Sequence, residues 1–281
     1  MTLISHSRSV AKGKGWCVSD EVCQAGPSDR PFEEQHSRFS VSAVLGGTFA
    51  YRSSGGRALM SPGSLLLGQQ DAQFSCSHEH GWGDRCIAFY FDESWIEDLA
   101  HELPGVRSTR VTHVRIPPAQ CLAPLIADVQ AFADGPDLGG GEELVFRIAA
   151  AALTFFPAEL PSSGATPAEE RRIVEVLRAL DDKEISEPLS LARLAGAVGM
   201  SRYYFLRAFQ RVTGQTPWHF ILSRRLAIAA HNLTLGRGTV LDAAIASGFT
   251  DLSEFTRRFR RHFGVTPGVY RHKKSRYNVP E

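Results

Sequence analysis

The sequence predicts an α+β chain of two domains: an antiparallel β-barrel with flanking helices, followed by an all-α domain with two helix-turn-helix units. Three observations lead there. Short strand-like runs punctuated by glycine turns fill residues 39–91. A motif of paired phenylalanines, a glycine and Thr-Pro occurs twice near the C-terminus, at an offset of 50 residues. The charge is divided as well. Residues 1–167 hold 12 Lys and Arg against 19 Asp and Glu, whereas residues 168–281 hold 19 against 11. At 281 residues, 43% of them hydrophobic, the chain can fill two cores, which excludes disordered and collagen-like classes. No apolar run approaches the ~18 residues of a membrane span. No secretory leader is visible, and five cysteines do not make a disulfide framework, so a cytoplasmic protein is expected.

In the first half Phe39 to Leu45 alternates, Gly46 and Gly47 interrupt it, and Thr48 to Arg52 resumes. Ser53-Ser-Gly-Gly56 has hairpin composition and precedes Arg57 to Met60. Ser61-Pro-Gly63 turns into Ser64 to Gly68, and Ala72 to Ser77 and Arg85 to Phe91 follow. Short strands at this spacing suit a small antiparallel barrel or sandwich. Helices are expected over Ser94 to Glu102, Pro118 to Phe132 and Glu142 to Phe156. Leu122, Leu125, Ile126 and Val129 form an i, i+3, i+4, i+7 stripe, either a cover for the strands or a dimer seam. The first domain is expected over residues 1–157, followed by a Pro/Ser/Gly-rich linker at 158–167.

The second domain is expected over residues 168–275, with 276–281 as a tail. The capping box Thr166-Pro-Ala-Glu169 opens a helix that ends near Asp181-Asp182. The repeat reads Phe205-x3-Phe209-x4-Gly214-x-Thr216-Pro217, then Phe255-x3-Phe259-x4-Gly264-x-Thr266-Pro267. Phenylalanines at i, i+4 share one helix face, the glycine suits a helix C-terminus, and Thr-Pro restarts a helix. Upstream of each copy lies a short Ala-rich helix closing at a glycine, Leu191 to Gly199 and Val240 to Gly248. Ser201 and Thr250 are the expected caps of the second helix in each pair. Between the units, Trp218 to Leu235 reads as one longer helix with Phe220, Ile221, Leu226, Ala229, Ala230 and Leu233 inward.

From Leu189 to Tyr277 there are 15 basic residues and only Asp242, Asp251 and Glu254 as acids. A domain so charged attracts polyanions, nucleic acid above all. A solvated basic face and an array for protein contacts are the other readings of that surface. The two copies, with their caps and terminating glycines, favour DNA. Arg202, Tyr203, Leu206, Arg207 and Gln210 fall outside the buried face of the first reading helix. Ser253, Glu254, Arg257 and Arg258 project from the second, and Arg260 and Arg261 extend its basic side. Arginine forks engage guanine edges or phosphates, and two linked units can address successive major grooves roughly 34 Å apart.

The run from Ala243 through Gly248-Phe-Thr-Asp-Leu-Ser-Glu-Phe255 to Gly264-Val-Thr-Pro-Gly-Val-Tyr-Arg271 resembles the signature of AraC/XylS-type transcriptional regulators. The resemblance covers residues 168–272. It implies a seven-helix DNA-binding domain that reads bases through Arg202, Tyr203, Leu206 and Arg207, and through Ser253, Glu254 and Arg257. With the caps Ser201 and Thr250 and the basic Arg258 and Arg261, these make up the expected DNA surface. It further implies a cupin-like N-terminal barrel that senses a signal or dimerises the protein, and a homodimer acting on promoter DNA with RNA polymerase as partner.

One stretch is chemically unusual: Cys76-Ser-His-Glu-His-Gly-Trp-Gly-Asp-Arg-Cys86. Cys76, His78 and His80 lie at i, i+2, i+4, one face of a strand, and Cys86 begins the next strand. Two thiols and two imidazoles suit one zinc ion or a softer ion such as copper(I), with Cys23 and His36 as further candidates. The other readings are a thiol redox switch at Cys76 and Cys86, and small buried core residues. His78, His80 and Asp84 superficially fit the cupin metal motif, so a metal-dependent cupin enzyme tethered to DNA is the competing class. The chain has no Gly-rich phosphate loop and no Gly-x-Ser-x-Gly elbow, and no catalysis is expected.

Overall fold

The computed structural model describes residues 5–78, 83–134, 141–155, 165–180, 185, 189–236 and 238–275. His80, most of the expected linker, Asp181-Asp182 and the tail lie outside them. Six strands fall where the glycine turns place them: β4 (Phe39–Gly47), β5 (Phe49–Ser53), β6 (Gly56–Met60), β7 (Leu65–Gly68), β8 (Gln73–Ser77) and β9 (Asp84–Phe91). Four more were not read from the sequence: β1 (Ser5–Gly13), β2 (Trp16–Cys23), β3 (Phe32–Gln35) and β10 (Arg115–Ile116).

The expected closed barrel does not form. The strands make two antiparallel sheets, one ordered β1-β2-β9-β4-β7-β10 and the other β3-β8-β5-β6. The β1–β2 hairpin pairs along β9 and lengthens the first sheet, and no ladder among the described residues joins the two sheets. The domain is therefore layered. Val41, Leu65, Leu67, Ile87 and Phe89 face one core under the helices. Val44, Leu66 and Cys86 face the second sheet with Phe49, Tyr51, Met60 and Cys76. A strand buried on both faces needs apolar residues at nearly every position, as Ile87 to Phe91 has.

Three helices cover the first core: α1 (Glu93–Glu102), α2 (Ala123–Asp134, entered through a 3-10 turn at Gln120–Leu122) and α3 (Gly141–Thr154). Leu122, Leu125 and Val129 are buried there together with Leu144 and Ile148. The stripe is thus a cover for the sheet and not an open seam.

The C-terminal half is helical: α4 (Pro167–Ala179), α5 (Leu191–Ala197), α6 (Arg202–Thr213), α7 (Pro217–Thr234), α8 (Val240–Ala246), α9 (Leu252–Phe263) and α10 (Pro267–Ser275). The Thr166/Glu169 capping box forms as read. The two helix-turn-helix units have separate cores, one around Phe205 and Phe209 and the other around Phe255 and Phe259. Each core also takes a residue from the first half, Leu59 of β6 in one and Ala127 of α2 in the other. Polar contacts reinforce this joint. Arg57 meets Glu170 at 2.9 Å, and Arg224 of α7 donates to the Leu45 carbonyl at 3.2 Å. Arg115 donates to the Leu59 carbonyl at 2.6 Å and to the Val212 carbonyl, in the last turn of α6, at 3.0 Å. No helix among the described residues is long and apolar enough to cross a membrane.

Candidate nucleic-acid interface

The two units are built alike. Helices α6 and α9 are twelve residues each and end at Gly214 and Gly264, whose φ values of 84° and 76° are left-handed positions that suit glycine. The Ser201 side chain accepts from Tyr204 N at 3.3 Å and caps α6 as expected. The expected cap Thr250 is displaced by its neighbour. Helix α9 starts at Leu252, and the Asp251 carboxylate accepts from Glu254 N at 2.7 Å. A carboxylate at that position also complements the positive end of the helix dipole.

On α6 the buried residues are Phe205, Ala208, Phe209, Val212 and Thr213. Arg202, Tyr203, Arg207 and Gln210 are exposed, and Leu206 is half-buried. Tyr203, with 70% of its surface accessible, carries the Arg207 guanidinium 5.7 Å from its ring centre. That stacking holds a cation and an aromatic ring side by side on the open face. Arg211 instead turns back to the buried carboxylate of Glu169.

On α9, Phe255, Phe259, His262 and Phe263 are buried, while Ser253, Arg257, Arg260 and Arg261 are exposed. Glu254 accepts from both Arg257 and Arg258, which holds its carboxyl below the usual range and raises the Arg257 guanidinium. Arg258 is half-buried and lies 5.4 Å from the Trp218 ring centre, so it leans on the connecting helix. The open face of α9 is thus strongly basic, with a single carboxylate that organises two of its arginines.

The expected metal residues divide differently. Cys76 and Cys86 are buried in the apolar layer between the sheets. His78 follows β8, is buried, and meets Asp84 Oδ1 at 2.6 Å. Burial opposes its charge, but hydrogen bonds to Asp84 and Cys23 outweigh that and raise its pKa to about 9. His36 is occupied elsewhere, bonded to the Tyr51 hydroxyl at 2.8 Å and stacked on Phe74. The ligand atoms that converge among the described residues are those of Cys23, His78 and Asp84, all within 4.8 Å of one another. Cys23 and Asp84 are direct partners across β2 and β9, a pairing over 61 residues that spacing cannot reveal.

The family description of a helix-turn-helix domain matches residues 194–273. The regulatory protein SoxS of Escherichia coli strain K12 is 37% identical over 103 residues, which span 37% of this chain and 96% of that relative. The chain belongs to the AraC/XylS family of DNA-binding transcriptional regulators. The right origin-binding protein of the same strain is 37% identical over 87 residues, covering 31% of this chain and 30% of the relative. Among solved structures, the DNA-binding domain of AdpA in complex with a target DNA is 27% identical. It covers 38% of this chain and 96% of its own, with a TM-score of 0.36. The family match at 194–273 begins within α5 and ends within α10.

Proposed function

We propose that this AraC/XylS regulator binds a specific operator in promoter DNA as a homodimer, with α6 and α9 entering successive major grooves. Arg202, Tyr203, Leu206 and Arg207 contact bases in the first, and Ser253, Glu254 and Arg257 in the second. Ser201, Thr250, Arg258 and Arg261 contact the backbone, and RNA polymerase is the downstream partner. The cupin-related half, residues 1–157, receives a metal ion or small ligand, with the thiols and imidazoles around Cys76, His78, His80 and Cys86 as its candidate receptor. The linker is residues 158–167, the DNA-binding domain 168–275 and the tail 276–281. A receptor that binds its ligand unequally in two arrangements of the halves shifts their populations, and with them DNA affinity.

The observation that carries this reading is the repetition itself. Two helices of equal length, equally capped, present basic faces free of core residues. The test is operator binding by gel shift and footprinting, with Arg207→Ala and Arg257→Ala beside the parent. Loss of a bidentate base contact weakens binding to the operator about 5- to 150-fold and leaves unrelated DNA nearly unchanged. Equal weakening on all sequences would assign the arginine to phosphate. Binding that ignores both sequence and salt would overturn the reading.

A further inference from the structure

We infer that Cys23, His78 and Asp84 form a binding site for one zinc-type divalent ion, held where the two sheets of the N-terminal half meet. The geometry stands by itself, and only the consequence for regulation rests on the function proposed above. Cys23 closes β2, Asp84 opens β9, and His78 follows the last residue of β8, in the other sheet. A thiolate, an imidazole and a carboxylate with ligand atoms within 4.8 Å of one another need little movement to meet a single ion. Around tetrahedral zinc such atoms lie about 3.3–3.7 Å apart. Sulfur and nitrogen donors select zinc over calcium or magnesium, which take oxygen ligands.

The surroundings are arranged for ligation. The Ala25 N–H donates to Cys23 Sγ at 3.5 Å, and the Cys86 thiol donates to Asp84 Oδ2 at 3.4 Å, so two of the three ligands are oriented from behind. Cys86 is a positioning residue in this arrangement, two residues beyond Asp84 on the same strand face. The backbone closes tightly as well. A Cβ on Gly83, at φ +65°, would lie 2.6 Å from the Cys23 carbonyl, and one on Gly47 would lie 2.2 Å from the Gly83 carbonyl. Only glycines allow the three chain segments to approach this closely. The hydrogen bond between His78 and Asp84 already brings two of the ligand atoms to 2.6 Å of each other. Among the described residues the ion would have three protein ligands, one short of a tetrahedral set.

The test is zinc binding to the full chain under reducing conditions, measured in competition with a chromophoric chelator. Cobalt(II) serves as the spectroscopic probe. The expected result is one equivalent of zinc, with a thiolate-to-cobalt charge-transfer band in the near ultraviolet. Cys23→Ser abolishes the band, and Cys23→Ser, His78→Ala and Asp84→Asn each weaken zinc binding tenfold or more, with circular dichroism as the check on folding. Cys17→Ser, on the same strand, leaves both readouts unchanged. The cobalt band in the parent needs no variant to fold. Its absence, a lack of stoichiometric zinc, or its persistence in Cys23→Ser would each overturn the site. Operator binding on the same preparations separates the two readings. Sequence-selective DNA binding by a chain that takes up no zinc would overturn the metal site alone, and stoichiometric zinc binding without sequence-selective DNA binding would overturn the operator reading alone.

Discussion

Arg115 is a single side chain that bridges the two halves. It leaves β10 of the first half and places its Nη1 between the Leu59 carbonyl, at 2.6 Å, and the Val212 carbonyl, at 3.0 Å. Val212 lies in the last turn of α6, where orphan carbonyls and the negative end of the helix dipole favour a cation. Replacing Arg115 with Ala removes two hydrogen bonds from a charged donor, each contributing roughly 1.5–3 kcal/mol. Burial of the guanidinium, which lowers its pKa to about 10, opposes part of that gain. The net loss expected is about 2–4 kcal/mol. Urea unfolding followed by circular dichroism measures it. Hydrogen exchange resolved by peptide should show faster exchange at the C-terminal end of α6 and along β6. Arg115→Lys, with a point charge in place of a fork, should recover only part of the loss. A loss within ~0.5 kcal/mol, the range of an ordinary surface change, with unaltered exchange at both places would refute this account of the joint.

Phe259 is fully buried, with ring centres of Phe255, Phe263 and Tyr270 at 5.4, 4.4 and 5.4 Å. Phe259→Ala should cost about 3–5 kcal/mol in a urea titration and disorder the second unit before the first. Asp251→Ala removes the cap of α9 and should cost about 1 kcal/mol, whereas Thr250→Ala should leave the urea midpoint within experimental error. His36 and His262 are each held near a pKa of about 4 by burial, below the ordinary histidine value of 6.5. The unfolded chain therefore binds more protons than the fold between those values, and stability should fall as pH drops from about 6.5 towards 4. Urea midpoints at pH 7 and pH 5 check the sign, and His262→Gln should flatten the slope.

The C-terminal half was legible because its signals are local. Phenylalanines at i, i+4, a glycine that alone suits the left-handed end of the helix, and Thr-Pro restarts all act within one turn. The cap of α9 was misplaced by one residue because Thr250 and Asp251 are both good caps, and only the hydrogen bond to Glu254 N decides between them. In the first half β4 to β9 were found, while β2 and β10 were missed although Val18 and Ile116 are buried, because each offers too short an apolar pattern. β1 was missed too, since Ser5–Gly13 is an edge strand with mostly exposed residues and no apolar alternation. Cys23, on the neighbouring strand, was noticed only as an outlying ligand for the same reason. What brings it to His78 and Asp84 is a ladder between distant segments, and long-range pairing leaves no trace in spacing. Cys76 and Cys86 drew notice as thiols and both lie buried in the layer between the sheets, a placement that composition does not reveal.

Helix α7 runs eighteen residues without a break, about 27 Å, and its side chains belong to both units: Phe220 and Ile221 to the first core, Leu226, Ala229 and Leu233 to the second. It has no hinge to adjust. If α6 and α9 read duplex as proposed, the protein carries a fixed gauge for the interval between the two stretches they touch. One extra base pair between them turns the farther stretch by about 36° around the axis, since a full turn takes 10–10.5 base pairs. On that reading, a promoter that gains or loses a single pair there falls out of phase even if every contacted base is intact. On the same reading, changing side chains on α6 or α9 alters which letters are accepted, but the interval between them is written into the length of α7.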